Sequence, residues 1–407
     1  MKNKKTIIGI NASYLRKPNT GIGQVTANFI KKLANSKIKE IEFVLYLEEN
    51  LPKDFKLPKN FSKKVFLPIW KRDDLIRKIW WEKYSLPKKV KKDKCDIFIS
   101  MYQCPTVFKT PSVLNSGHSV SLRHIMVVHD IIPKLFPEYL DNFRKKIYWN
   151  YTEKGIKNTD KIIAVSKKTE KDLIAHLGIN ADKITTNYID VDEIYKNVGA
   201  ESASSADKHG QAVLKKYKLK PGYIFAGGGY EKRKNIESVV RAYKILLEKN
   251  KKEHFVEEFP RLVIYGKILP KNLSLATDAQ KLVKELNLTK QVRLLGMTPQ
   301  KDLPALFKGA IMFAYPSFYE GFGMPVLEAM SVGTPVVTSK ISSLPEVGGD
   351  SVLYCNPNDI SDIAMVMKNI LTNKDLREQL KFHGREKAKQ FSWEKFTEKV
   401  LNIINAM

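Results

Sequence analysis

Cysteine is scarce: Cys95, Cys104 and Cys355 are the only three in 407 residues. Thiols so few and so scattered exclude a disulfide framework and a structural zinc site, and three reduced thiols are expected. Long apolar runs are missing too. Thr6-Ile7-Ile8-Gly9-Ile10 is too short for the core of a secretion signal and reads as a first strand. No stretch approaches the roughly 18 residues that a bilayer-spanning helix needs, so a soluble or peripheral cytoplasmic protein is expected. No internal repeat or low-complexity tract is found. Acidic residues are in deficit, 43 Asp and Glu against 70 Lys and Arg, and leave a formal net charge of +27.

What is present is a two-domain α/β pattern. A chain of 407 residues with 43% hydrophobic content exceeds what one core usually supports. Short apolar strands alternate with helical patterns in both halves, which argues for parallel, doubly wound sheets with ligands at the carboxyl ends of the strands. The first half offers strands at 6–10, 41–47, 95–100, 124–129 and 161–165. The second offers 223–226, 261–265, 291–294, 310–314, 335–338 and 352–354. Around Ala200-Glu201-Ser202-Ala203-Ser204-Ser205-Ala206-Asp207 the chain is small and polar, and 196–213 reads as a mobile linker between domains 1–195 and 214–390.

The most informative stretch is Phe318-Tyr319-Glu320-Gly321-Phe322-Gly323-Met324-Pro325-Val326-Leu327-Glu328. Apolar 310–315 precedes it as a strand, and Pro325 suits the first turn of a following helix. In such a strand, glycine turn and helix start, the N–H groups of Gly321, Phe322 and Gly323 and the positive helix end favour a diphosphate. Glu320 lies in the loop and Glu328 about one turn into the helix. Ionised carboxylates only accept hydrogen bonds, so one suits a sugar and the other a ribose.

With Ser331-Val332-Gly333-Thr334-Pro335 and Leu344-Pro345-Glu346-Val347-Gly348-Gly349-Asp350, this run resembles the donor-site signature of glycosyltransferase family 4. The resemblance implies a retaining, nucleotide-sugar-dependent hexosyltransferase of the GT-B fold, two Rossmann-like domains facing across a cleft, with no metal or other cofactor. It also implies that the last helix, here 391–407, crosses back to the first domain. In Gly227-Gly228-Gly229-Tyr230-Glu231-Lys232-Arg233-Lys234-Asn235, the family's diphosphate-binding lysine falls on Lys234, with Arg233 as its neighbour. Many relatives carry an arginine where Gly228 and Gly229 stand here. Asn235 reads as the cap of the next helix. His129, followed by Asp130 and Pro133, resembles the family's strand-end histidine near the transferred sugar.

Thr20-Gly21-Ile22-Gly23-Gln24 follows the first strand as a glycine loop, so Gly21 and Gly23 are further donor candidates, with Gly229 and with Gly296 in Leu295-Gly296-Met297-Thr298, near which the base is expected. The resemblance is nearest to mannosyltransferases of lipid-linked or polysaccharide chains and points to GDP-mannose. UDP- and dTDP-sugars, and a GT-B epimerase that needs no acceptor, stay open. A non-catalytic adaptor for membranes or nucleic acid is the reading from another class. Family precedent favours front-face attack with Arg233 and Lys234 on the leaving diphosphate, and no dedicated nucleophile is evident.

Charge is concentrated between Lys53 and Lys94, where 15 basic and 5 acidic residues give 15 − 5 = +10 in 42 residues. Leu75, Ile76, Ile79, Trp80, Tyr84 and Leu86 recur there at helical spacing beside Lys71, Arg72, Arg77, Lys78 and Lys83. That pattern suits an anionic membrane or lipid-linked acceptor, or simply a solvated helix face. No nucleic-acid-binding motif accompanies the charge. Asp190-Val191-Asp192 spells a metal-binding DxD but falls at the linker, and Asp73-Asp74 reads as a helix-start charge pair.

Overall fold

Strands covered by helices on both faces must be apolar throughout. The computed structural model, which describes residues 5–36, 38, 40–51, 55–66, 75–108, 122–200, 205–268 and 275–407, shows two such sheets. The first contains β1 (Thr6–Asn11), β2 (Ile41–Leu47), β3 (Phe61–Val65), β4 (Ile97–Ser100), β5 (Arg123–Val128), β6 (Lys161–Ala164) and β7 (Ile184–Thr186), in the order β3-β2-β1-β4-β5-β6-β7. The second contains β8 (Tyr223–Gly227), β9 (Leu262–Tyr265), β10 (Val292–Gly296), β11 (Ala310–Tyr315), β12 (Val336–Ser339) and β13 (Leu353–Cys355), in the order β10-β9-β8-β11-β12-β13. Within both sheets the strands pair in parallel, for example Gly9 with Val44 and Phe313 with Phe225. Both sheets are α/β and doubly wound, with the strand order reversing beside β1 and β8.

Eleven strands fall where the apolar runs put them, within two residues. β3 and β7 were not foreseen. In β3 the residues Ser62, Lys63 and Lys64 face solvent at the sheet edge, so it lacks an apolar signature, and β7 is only three residues long.

The chain forms two units, Met1–Ile189 with Ser392–Met407, and Asp190–Phe391. The helix Trp393–Asn405 packs on Gly21–Asn35 of the first unit, with Phe396 edge-on to Phe29 at 5.8 Å between centroids and Lys32 paired to Glu394 at 2.5 Å. The chain enters the second unit at Asp190, not after 195. Residues 196–213 are also not a loop. They fall largely in the helices Glu193–Ala200 and Ser205–Lys216, because Val213 and Leu214 are buried and the second helix packs on Leu303–Lys308. Residues 201–204 lie outside the described residues.

The basic segment turns its charges the other way from the amphipathic expectation. Leu75–Ile79 runs into a π-helical turn, Trp80–Ser85, and then Leu86–Lys92. Arg77 points inward and pairs with buried Glu48 at 2.7 Å, and Lys78 lies 3.7 Å from buried Glu82. Ile76, Trp80 and Tyr84, four residues apart, are exposed instead. Burying a cation requires a partner, and Glu48 and Glu82 supply it. Lys71, Arg72, Asp73 and Asp74 lie outside the described residues.

Phe396 has no exposed surface. Replacing it with alanine leaves a cavity against Phe29 and should lower stability by about 3–5 kcal/mol in urea unfolding. An unchanged midpoint would show that the carboxyl-terminal helix does not hold the first unit's core.

Candidate active site

The second unit assembles the sequence candidates from two loops at the carboxyl ends of the neighbouring strands β8 and β11. After β8, Gly227, Gly228 and Gly229 take φ values of 143°, 90° and 132°, a left-handed path that side chains disfavour. A Cβ on Gly227 would sit 2.1 Å from the Tyr265 carbonyl oxygen. The loop ends in a single turn, Lys232–Lys234, before the helix Ile236–Glu253. Asn235 occupies the cap position but makes no capping bond. Its left-handed φ of 58° turns its amide to donate to the carbonyls of Pro316 at 3.1 Å and Pro357 at 2.8 Å.

After β11, Gly323 (φ 107°) opens the helix Met324–Ser331 with Pro325 in its first turn. The loop before it is held by two serines. Ser342 Oγ accepts from the Glu320 amide at 3.0 Å, and Ser343 Oγ donates to the carbonyls of Glu320 at 2.9 Å and Phe322 at 2.8 Å.

Glu320 is where the loops meet. Its Oε1 accepts from Lys234 Nζ at 2.8 Å, Arg233 Nη1 at 2.8 Å, the Tyr315 hydroxyl at 2.7 Å and Ser317 Oγ at 2.7 Å. Burial alone would raise its pKa. The charges of Arg233 and Lys234 and the bonds to the oxygen outweigh that and hold it at about 2. Among the described residues no hydrogen bond reaches Oε2, so that oxygen can accept from a sugar hydroxyl. Burial pushes the Lys234 ammonium below the usual lysine range, against the pull of Glu320. Arg233 also pairs with Glu231 at 3.1 Å and donates to the Tyr319 carbonyl.

Glu328, the fifth residue of its helix, is buried, and among the described residues no basic side chain pairs with it. Gln300 Nε2 donates to its Oε1 at 3.3 Å. Burial pushes its pKa up to about 7, opposed by bonds from Tyr195 and Gln300. Gly296 (φ 69°) closes β10, its carbonyl accepts from the Gly266 amide at 2.8 Å, and Met297 and Ile268 beside it are exposed.

The first unit holds the remaining candidates. His129 follows β5, with Nε2 2.9 Å from the Met101 carbonyl. A carbonyl can only accept, so Nε2 carries the hydrogen and Nδ1 keeps its lone pair. Burial lowers the pKa to about 4, which leaves a neutral imidazole at pH 7. Gly21 and Gly23 do not lie in a loop but in the first turn of the helix Gly21–Asn35. Thr20 starts that helix early by accepting the Gly23 amide at 3.1 Å, so the Gly23 N–H is engaged within the helix start. Glycine is needed at 23 because a Cβ there would lie 2.0 Å from the Lys17 carbonyl.

Asp190 and Asp192 are engaged locally, Asp190 by Lys196 and by the Val191 amide at 2.8 Å, Asp192 by the Ile194 amide at 3.1 Å. Among the described residues no group of three or more His, Cys, Asp or Glu is placed to hold a metal.

Two loops that set cations and buried carboxylates at the carboxyl ends of adjacent parallel strands agree with what the chain resembles. The family model for Glycosyltransferase Family 4 matches residues 19–192, and that for Glycosyl transferases group 1 matches 212–387. The O-antigen chain mannosyltransferase B of Escherichia coli is 33% identical over 287 residues, 70% of this chain and 71% of that one. The chain belongs to glycosyltransferase family 4. The serotype-specific mannosyltransferase WbdA of Escherichia coli is 33% identical over 68% of this chain but only 32% of its own length. Among solved structures, WaaG, a glycosyltransferase involved in lipopolysaccharide biosynthesis, superposes with a TM-score of 0.70 at 16% identity, covering 98% of this chain and 99% of that one. The fold of this glycosyltransferase is thus GT-B.

Sequence reasoning missed Tyr315, Ser317, Tyr195 and Gln300 around the two glutamates. Tyr315 and Ser317 were legible in principle, since Tyr315 ends the apolar strand and Ser317 follows two residues later at the start of the loop. Tyr195 and Gln300 are distant in sequence and carry no motif.

A depressed carboxylate pKa means that Glu320 contributes stability fully above the ordinary value of 4.5, lost as pH falls through about 2. Glu320→Gln strands two buried cations and should cost about 3–5 kcal/mol at pH 7. The gap to wild type should close on titration from pH 4.5 to 2 in chemical denaturation, and a gap independent of pH would contradict the assigned ion pairs.

Proposed function

We propose that this glycosyltransferase moves a hexose, mannose from GDP-mannose as the first choice, onto a glycan or lipid-linked acceptor in cell-surface polysaccharide synthesis. The observation that carries the reading is the site on Glu320, where Arg233 and Lys234 converge on one carboxylate oxygen beside the glycine loop, placing two fixed cations where a diphosphate would lie. The printed names of the Escherichia coli relatives support the sugar and the polymer. Lys234 and Arg233 stabilise the charge that develops as the sugar C1–O bond breaks and its electrons leave with the nucleoside diphosphate. Attack comes from the same face, with retention, and the acceptor hydroxyl's proton passes to a leaving phosphate oxygen. The loop 321–323 and Gly229 keep the backbone close to the diphosphate. Glu320 Oε2 accepts from the donor sugar, Glu328 from the ribose, and His129 Nδ1 from a hydroxyl near the acceptor. Met297 and Ile268 offer apolar surface to the base. Charge stabilisation is assigned to these side chains, with no metal step.

Peripheral attachment at the cytoplasmic face of the membrane is the second part of the proposal. Ile76, Trp80 and Tyr84 form an exposed apolar ridge, and Trp and Tyr suit the bilayer interface. Lys88, Lys89, Lys91 and Lys92, exposed on the next helix, supply the charge for anionic lipid. No helix among the described residues is long and apolar enough to cross a membrane.

Calorimetric titration with GDP, UDP, dTDP and ADP tests the donor site. One nucleotide should bind, and Glu328→Ala and Lys234→Ala should each weaken it by roughly tenfold or more. Unchanged affinity in both would overturn the site. For the membrane, Trp80→Ala should reduce co-sedimentation with phosphatidylglycerol vesicles several-fold. Equal recovery with phosphatidylcholine vesicles, or no effect of the substitution, would refute the attachment.

A further inference from the structure

Within the second unit, the segments by which the chain enters and leaves it are both tied to the donor site. Where the chain enters the second unit, Lys196 binds the Asp190 carboxylate and also donates to the Phe391 carbonyl at 3.3 Å, joining the entering and leaving segments. Phe391 in turn lies edge-on to Phe322 of the glycine loop at 5.8 Å between centroids. Tyr195, next to Lys196, is fully buried and packs against Phe307. Its hydroxyl oxygen accepts from Gln300 Nε2 at 2.7 Å, and the same amide donates to Glu328 Oε1 at 3.3 Å. A hydroxyl that accepts one bond keeps its hydrogen to give, and Tyr195 and Glu328 act on each other's ionisation, Tyr195 lowering the pKa of Glu328 and Glu328 raising that of Tyr195.

We propose that Tyr195, with Gln300, is a positioning residue that orients the Glu328 carboxylate for the nucleotide ribose, so that donor affinity is set partly by the segment with which the chain enters the second unit. The proposal rests on the ribose role given to Glu328 above. Ionic partners do not explain how Glu328 is held. Lys234 acts on it only from a distance, Asp192 repels it, and Tyr265 on β9 adds no charge at neutral pH. The orienting contact is the neutral Gln300 amide, which the Tyr195 hydroxyl holds in place. Donation from the amide favours the ionised carboxylate, which is the form able to accept fully from two ribose hydroxyls.

Nucleotide affinity should therefore rise with pH through the region near 7, where Glu328 ionises. The test is calorimetry of the nucleotide that binds wild type best among GDP, UDP, dTDP and ADP, at several pH values between 6 and 8.5. The proteins are wild type, Tyr195→Phe, Gln300→Leu and Glu328→Gln, with inorganic pyrophosphate as the probe lacking a ribose. Tyr195→Phe keeps the ring against Phe307, so the fold is retained. It should weaken the nucleotide roughly tenfold at pH 7, shift the rise in affinity to higher pH, and leave pyrophosphate binding unchanged. Gln300→Leu should act in the same direction. Nucleotide affinity and pH profile both unchanged in Tyr195→Phe, while Glu328→Gln is weakened, would overturn the positioning role alone. No loss in Glu328→Gln, or no nucleotide bound by wild type, would overturn the ribose reading and the proposal with it. Equal losses of nucleotide and pyrophosphate would mean a general structural effect and also overturn it.

Discussion

One carboxylate oxygen organises the second unit's chemistry. Glu320 Oε1 gathers an ammonium, a guanidinium and two hydroxyls, and these come from the loop after β8 and from the strand end and loop after β11. Each group alone would be costly to bury. Together they satisfy one another, and the bonds tie two strand-end loops into one rigid site. The glycines upstream and the serines downstream make sense as supports of this junction, since Gly227 lets the first loop approach β9 and Ser342 and Ser343 fix the second.

The two glutamates, eight positions apart, show what environment does to one side-chain type. Glu320 is buried among cations and held at about 2, whereas Glu328 is buried among neutral donors and raised to about 7. Environments that push like groups apart commonly separate their roles. Here one carboxylate is permanently charged and locked, while the other lies close enough to neutrality for small changes in its surroundings to matter.

Most of the architecture was legible because parallel strands buried on both faces are written as uninterrupted apolar runs, as in Tyr223–Gly227 and Ala310–Tyr315. Glycine and proline marked the loops that follow them. What stayed hidden depended on distance in sequence. Nothing in Leu75 to Leu86 says that Arg77 turns inward, because its partner Glu48 becomes visible only when the chain is folded, whereas Glu82, four residues after Lys78, could have been read as its partner. Thr20 likewise looked like a loop residue and is a helix cap, which moved Gly21 and Gly23 into the helix. The helices within 196–213 were masked by a small, polar composition, although Val213 and Leu214 supply the anchor. Tyr195 and Gln300 belong to no motif and are explained only by what they touch.

The three thiols carry a last consequence. Cys95 and Cys104 lie buried in the first unit and Cys355 in the second, and burial raises the pKa of each, to about 11 for Cys104 and about 12 for Cys355. A sulfur that is both shielded and protonated reacts slowly with alkylating reagents, so labelling has to wait for the surrounding structure to open. Each unit thus contains its own chemical clock, and the order in which the three sites become labelled reports which half of the molecule loosens first.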